Sequence, residues 1–181
     1  MRLLADFPKP KTLLFITLTA LPFTTGLFFL LQVIDQQLAP YGIVTFEFAF
    51  APARARQMFA VWGAAGAAAA RQSLWVDFAF MPAYAFLFAG LTLLAARTAK
   101  GRWQMPGFWL ALAPFAAWAL DATENVSLLR ALEPAPDPSS AVLVLAGMSA
   151  AVKFLLLAAC LVYMIGIVIA AGWTWLSARP Q

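Results

Sequence analysis

Four long apolar runs constrain this chain more than any other feature. They predict helices at about residues 12–34, 74–97, 107–131 and 141–172. Each run reaches the ~20 residues that an α-helix needs to cross the hydrocarbon core of a bilayer. The sequence therefore predicts an all-α fold, a four-transmembrane-helix bundle that forms a single integral membrane domain over residues 1–181.

The composition supports this interpretation. Hydrophobic residues make up 64% of the chain and charged residues 11%, and the mean hydropathy is +0.83. A soluble domain usually has about 25% charged residues. The first apolar run follows a basic start and continues past Gly26 to Val33. It is longer than the apolar core of a signal peptide, which spans roughly 7–15 residues, so we expect an uncleaved first helix.

Missing residue types exclude several kinds of site. The sequence has no histidine, and Cys160 is its single cysteine. These absences exclude His-ligated haem, the usual His-containing zinc and copper sites, and a Ser-His-Asp triad within the chain. We expect no metal site and no cofactor. No known catalytic motif indicates an enzyme. We therefore assign no catalytic residues and favour a protein without catalytic activity.

The distribution of basic residues predicts an orientation. Seven basic residues precede the first helix, follow the last or lie between helices two and three, whereas four lie on the other side: Arg2, Lys9, Lys11, Arg97, Lys100, Arg102 and Arg179 against Arg54, Arg56, Arg71 and Arg130. By the positive-inside rule, both termini are cytoplasmic, and we expect the bacterial inner membrane. The net charge of +4 is too scattered to indicate nucleic-acid binding.

The first loop, from Asp35 to Ser73, is too long to be a simple turn. Its "TFEFAF" stretch predicts an extended segment with Phe46, Phe48 and Phe50 on one side. From Pro52 the sequence predicts an amphipathic helix over about 52–71 in this first extracytoplasmic loop. Its apolar stripe is Met58, Val61, Trp62, Ala65 and Ala69. This helix lies on the membrane surface or forms a lid over a ligand cavity.

The stretch "WALDATENVSLL" places polar groups inside the third run. Asp121, Glu124 and Asn125 stand at i, i+3 and i+4, and therefore share one helix face. At 1.5 Å rise per residue, Asp121 lies ~17 Å from the outer end of its helix and Lys153 ~18 Å from the same surface. Because a charge at mid-bilayer is costly unless it is paired, we predict that Asp121 and Lys153 lie within reach of an ion pair.

Two residues of the second run extend this polar group. Asp77 lies near the outer end of that helix, and Tyr84, seven residues later, shares its face. The candidates that line a ligand cavity are thus Asp77, Tyr84, Asp121, Glu124, Asn125 and Lys153, with Asp35, Arg54 and Arg56 as a possible rim. Three acids here face one lysine. Either an arginine folds in, or a bound cation helps, or a carboxyl group stays protonated.

Two stretches carry family resemblances. The pattern "TFEFAFAPARARQMFAVWGAAGAAAARQSLWVDFAF", followed later by "DATEN", resembles uncharacterised bacterial four-helix membrane proteins. The stretches "DQQLAP" and "LWVDFAFMPAYAFLF" are similar to the acidic positions of the EXPERA group, the emopamil-binding and sigma-2-receptor-like proteins. That similarity implies that Asp35 and Asp77 face an intramembrane cavity for a cationic or sterol-like ligand.

The sequence leaves several functions open. The polar cluster either binds or carries a small lipophilic or lipid-like ligand, or it fixes the helices to one another by hydrogen bonds. Alternatively, the chain is an accessory subunit that docks on a membrane-protein partner or on copies of itself. A lipid-modifying enzyme that uses a carboxyl group and Lys153 and a proton or cation pathway are further alternatives. Each of them places the chain in the lipid bilayer.

Overall fold

The computed structural model describes residues 2–133 and 138–177, and within these residues all regular secondary structure is helical. The all-α prediction is therefore confirmed. Seven α-helices and two 3-10 turns follow one another along the chain: α1 (Arg2–Asp6), α2 (Pro10–Asp35), a 3-10 turn (Gln36–Leu38), α3 (Ile43–Glu47), α4 (Pro52–Thr98), a 3-10 turn (Gly101–Trp103), α5 (Gln104–Leu110), α6 (Ala113–Ala131) and α7 (Ser140–Ser177).

Within the described residues, three helical segments are long and apolar enough to cross a membrane: Pro10–Leu38, Pro52–Thr98 and Ser140–Thr174. The predicted third span differs from these because it is divided. The chain leaves regular helix at Ala111 and Leu112, between α5 and α6. With 19 residues, α6 is also short, and it carries Asp121, Glu124 and Arg130. These charges reduce the hydropathy of the helix that carries most of the polar cluster.

Helix α4 joins the predicted loop helix and the predicted second span. No glycine or proline stands between Arg71 and Leu74 to end a helix there, and the helix runs through this region. Its break lies earlier, at Gly63, where φ is 58° and ψ is −162°. A residue without a Cβ adopts this conformation readily. Of the predicted apolar stripe, Met58, Trp62 and Ala69 are buried, whereas Val61 and Ala65 are exposed.

The prediction of an extended "TFEFAF" segment is wrong, because Ile43–Glu47 forms the short helix α3. The side chain of Asp35 lies at the start of this helix, where its Oδ1 accepts a hydrogen bond of 2.6 Å from the backbone N–H of Ile43. Gly42 makes the approach possible: a Cβ at this position would lie 2.6 Å from Asp35 Oδ2. This bond satisfies the first backbone N–H of α3 and favours a helix over the strand that the phenylalanines and the threonine favour.

Helix α4 is the centre of the packing, with contacts to α2, α5, α6 and α7, while α6 also packs along α7. Large apolar side chains on the outer faces of α2 and α7 are exposed, among them Phe15, Phe23, Leu155 and Val162. This surface suits lipid rather than water. At the start of α7, Val142 N–H donates a hydrogen bond to Ser139 Oγ at 3.2 Å. The preceding residues 134–137, and the predicted cytoplasmic Arg179, lie outside the described residues.

Candidate functional site

A cavity of about 530 Å³ lies between α2, α4 and α7, with α6 contributing to its inner wall and α3 beside it. Most of its lining is apolar, and the polar side chains come from all five helices. The lining residues are Thr24, Thr25, Phe28, Phe29, Leu31, Gln32, Ile43, Val44, Glu47, Ser73, Leu74, Asp77, Phe80, Tyr84, Phe88, Asp121, Asn125, Lys153, Phe154 and Leu157.

Lys153 is the centre of a buried cluster of charges. Its Nζ donates a hydrogen bond to Asp121 Oδ1 at 2.7 Å and lies 2.7 Å from Glu124 Oε2. The same nitrogen lies 4.0 Å from Glu47 Oε2 and 4.8 Å from the centre of the Phe154 ring. The predicted ion pair between Asp121 and Lys153 is therefore confirmed, and it belongs to a larger cluster.

Neutral hydrogen-bond donors connect this cluster to α4. The Tyr84 hydroxyl donates to Asp121 Oδ2 at 2.8 Å. The Asn125 side chain donates to Asp77 Oδ2 at 2.9 Å and to the carbonyl oxygen of Leu74 at 3.1 Å. The two bonds of Asn125 hold α6 against α4 at the level where Asp77 reaches the cavity.

The structure places the six predicted cavity candidates in two hydrogen-bonded or ion-paired groups, and five of the six line the cavity. One group is Tyr84, Asp121, Glu124 and Lys153, and the other is Asn125 with Asp77. Glu124 is the exception: it is 0% exposed and does not belong to the lining. Its contact with Lys153 is an ion pair by distance, although its carboxylate oxygens meet no hydrogen-bond geometry among the described residues. Glu124 therefore acts on the cavity through Lys153.

Glu47 is a cavity residue that was not predicted from the sequence. This residue is 8% exposed, lines the cavity and lies on α3, outside the long apolar helices. Depth along spanning helices could not identify it, because it reaches Lys153 from a connecting segment. The signal was present in "TFEFAF", where a carboxyl group stands between two phenylalanines. Such a residue on a lipid-facing or buried segment needs a partner.

The three predicted rim residues lie elsewhere. Asp35 does not line the cavity. Its side chain accepts a hydrogen bond from the N–H of Ile43 and so fixes the start of α3, the helix that carries Glu47. Arg54 and Arg56 are exposed on the first turns of α4 and are not part of the lining. Asp35 is thus a positioning residue for the site.

Further contacts hold α3 in place. The Phe46 ring packs edge-on against Phe59 and Trp62 of α4, with ring centres 5.4 Å and 5.5 Å apart. On the other side, the Phe48 ring stacks on Phe154 of α7 at 6.2 Å. Phe50 adopts a φ of 54°, and its ring lies where a Cβ on Gly147 of α7 would stand. Glu47 is therefore fixed between α4 and α7.

The cavity opens on the apolar outer surface of the helices. On the α2 side, its lining residues Thr25, Phe28 and Phe29 are exposed. On the opposite side, Val44 of α3 and Phe154 of α7 are exposed as well. The charged cluster lies at the inner wall, where Lys153 and Asp121 are almost fully buried. A molecule that enters this mouth meets apolar side chains first and charges last.

The electrostatics of the inner wall are unbalanced. Four carboxyl groups, those of Glu47, Asp77, Asp121 and Glu124, surround the one ammonium group of Lys153. Each buried ion that lacks a counter-charge costs on the order of several kcal/mol. The described residues therefore favour a state in which a carboxyl group is protonated or a cation enters the cavity.

Comparisons with other proteins give no family for this chain. No family model, no curated protein and no solved structure matches it. The cavity and its charges are therefore the basis for a function.

Proposed function

We propose that this chain is a multi-pass membrane protein that crosses the bilayer four times. Helices α2 and α7 and the second part of α4 supply three crossings, and α5 together with α6 supplies another. In this topology both termini are cytoplasmic, and α3 and the first part of α4 lie at the outer face of a bacterial inner membrane. The polar face of α6 is compatible with a crossing because it packs on α4 and α7, which shields its charges from lipid.

Within that frame, the cavity binds or carries a small lipophilic or lipid-like ligand. The observation that carries this proposal is the cavity of about 530 Å³ with a mouth of exposed apolar side chains and a buried charged wall. Sites for small molecules typically measure about 300–1,000 Å³ and combine apolar walls with a few polar groups that fix orientation. Volume and lining both fall within that description.

The position of the mouth indicates the route of entry. Phe29 is 62% exposed and Phe154 42%, and both line the cavity. In a bilayer these side chains contact acyl chains, so a ligand dissolved in the membrane enters sideways between α2 and α7. Its apolar part then lies along the phenylalanines, while its polar end reaches Asp77 and Lys153.

Photolabelling in membrane vesicles tests this proposal. A fatty alcohol that carries a diazirine on its chain labels nearby side chains on illumination, and peptide mass spectrometry locates the label. We expect label on the lining residues Leu74 and Asp77, because Leu74 is 2% exposed and is shielded from the bulk lipid by α2 and α3.

The matched variants are Thr25→Trp and Thr19→Trp. Both threonines are exposed on α2, but only Thr25 belongs to the cavity lining. Thr25→Trp fills the mouth and should remove most of the label from the lining residues, whereas Thr19→Trp should leave it unchanged. Equal labelling of Leu74 and Asp77 in the two variants would show that the cavity is not the binding site.

A further inference from the structure

Glu47 has the fewest compensating contacts of the carboxyl groups that line the cavity. Asp121 accepts hydrogen bonds from Tyr84 and Lys153, and Asp77 accepts one from Asn125. Glu47 Oε2 has no hydrogen-bond partner among the described residues and lies at the limit of ion-pair distance, 4.0 Å from Lys153 Nζ. It is nevertheless buried, and it borders the cavity.

We propose that Glu47 exchanges a proton for a cation: it is protonated while the cavity is empty, and it releases that proton when a cationic amphiphile binds. The inference rests on the proposed function and adds to it the charge of the ligand. In the exchange, the Glu47 carboxyl group loses its proton to the aqueous phase next to α3. The resulting carboxylate then pairs with the positive head group of the ligand, so the net charge of the site does not change.

The surroundings of Glu47 favour the protonated form before binding. Burial raises the pKa of its carboxyl group, and the nearby charge of Lys153 opposes this rise in part. Of the two further acids of α6, Asp121 raises the pKa through its charge, while Glu124 lowers it through the side-chain interaction. A cation that enters the cavity adds a second positive charge near Glu47 and thus favours ionisation.

Charged groups from every neighbouring helix act on this exchange. Asp35 at the end of α2 adds negative charge, Asp77 of α4 interacts with Glu47, and Asp121 and Glu124 extend from α6. Lys153 is already held within 2.7 Å of both α6 acids. That ammonium group lies closer to these two carboxyl groups than to Glu47 Oε2, which is 4.0 Å away.

Calorimetric titration of the protein in lipid nanodiscs tests the exchange. The probe is decyltrimethylammonium, which carries a permanent charge and no proton of its own, and decanol is its uncharged match. Titration in two buffers of different ionisation enthalpy gives the number of protons released. We expect about one proton per bound cation and none for decanol, with an affinity for the cation that rises up to about tenfold per pH unit while Glu47 is protonated.

Three variants assign the proton. Glu47→Gln should bind the cation without proton release and without the pH dependence, while Glu133→Gln, at an exposed acid outside the lining, should behave like the unmodified chain. Glu47→Asp retains a titrating carboxyl group and should retain the release, which separates titration from a loss of fold. Thermal unfolding of each variant checks that it is folded.

The outcomes distinguish the exchange from the proposed function. If decanol and the cation both compete with the photolabel at Leu74 and Asp77 but no proton is released, the exchange is wrong and the binding site stands. Release that persists in Glu47→Gln likewise overturns the assignment. If neither probe competes with the photolabel, the proposed function fails together with the exchange.

Discussion

The two ends of the packed helices differ in what lies between the helices. At the end near α5, an apolar cluster of Leu13, Leu93, Ala96, Phe108, Ala111 and Tyr163 fills the space between α2, α4, α5 and α7. At the end near α3, the helices diverge around a cavity with four carboxyl groups. We refer to these regions as the α5 end and the α3 end.

Side-chain size explains the difference. At the α5 end, Gly90 lies so close to α2 that a Cβ would overlap Thr17 Oγ1, and Gly107 is equally close to Tyr163 of α7. Small residues bring the helix backbones together and leave no room for a ligand. At the α3 end, a second apolar cluster that includes Phe46, Trp62 and Leu74 packs around α3. The charged side chains lie beside it on the cavity wall. Apolar contact therefore stabilises both ends, and at the α3 end the charged cluster adds electrostatic pairing.

The largest effect should come from removing the ammonium group at the α3 end. Lys153→Met leaves Asp121 and Glu124 buried without a counter-charge and should lower the free energy of unfolding by about 3–5 kcal/mol. Lys100→Met changes an exposed lysine near the α5 end and should stay within about 0.5 kcal/mol. Chemical unfolding in detergent measures both. Equal stability of the two variants would mean that the cluster does not hold the helices together.

At the α5 end the largest loss of stability should come from Gly107→Ala. A Cβ there would lie 2.6 Å from that of Ala96, and such overpacking typically costs about 1–3 kcal/mol. Gly26→Ala is the control, since nothing lies within 4 Å of the added methyl group and alanine in a helix is favoured over glycine by about 0.5–1 kcal/mol. Thermal unfolding should shift in opposite directions for the two variants. A shift in the same direction would contradict the close packing of this end.

The smallest effect compares one hydroxyl from each end. Tyr84→Phe removes a bond to the Asp121 carboxylate, and Tyr163→Phe removes one of 2.9 Å to the carbonyl oxygen of Trp103. Hydrogen bonds to charged groups contribute more, so the Tyr84 variant should lose about 1 kcal/mol more stability than the Tyr163 variant. Unfolding of the two single variants and the double variant measures this difference. If Tyr163→Phe is the more damaging, the bond of Tyr84 to Asp121 contributes less to stability than the bond of Tyr163 to Trp103.

Much of this site could be predicted because the position of a residue along an apolar helix gives its expected depth in a membrane. A fixed rise per residue places Asp121 and Lys153 at one level, and their ion pair is 2.7 Å long. The i, i+3, i+4 spacing of the α6 polar residues likewise predicts a shared face, and all three are buried toward α4 or α7.

Glu47 could not be predicted because its position at the cavity depends on contacts between distant parts of the chain. Its helix is five residues long, and the side chain of Asp35 accepts a hydrogen bond from the first N–H of that helix. The ring of Phe48, which follows the helix, packs on Phe154, more than a hundred positions later. No periodic pattern encodes such contacts. The continuity of α4 could not be predicted either. The backbone of this helix breaks at Gly63, but the sequence changes from amphipathic to uniformly apolar at a different position.

The position of Lys153 in the last long helix also has a consequence for biosynthesis. Glu47, Asp77, Asp121 and Glu124 all precede it in the chain, so every acid is made before the ammonium group that they share. Until α7 leaves the ribosome and enters the membrane, α6 carries two carboxyl groups whose counter-charge does not yet exist. The charged wall is therefore complete only when α7 packs against α6.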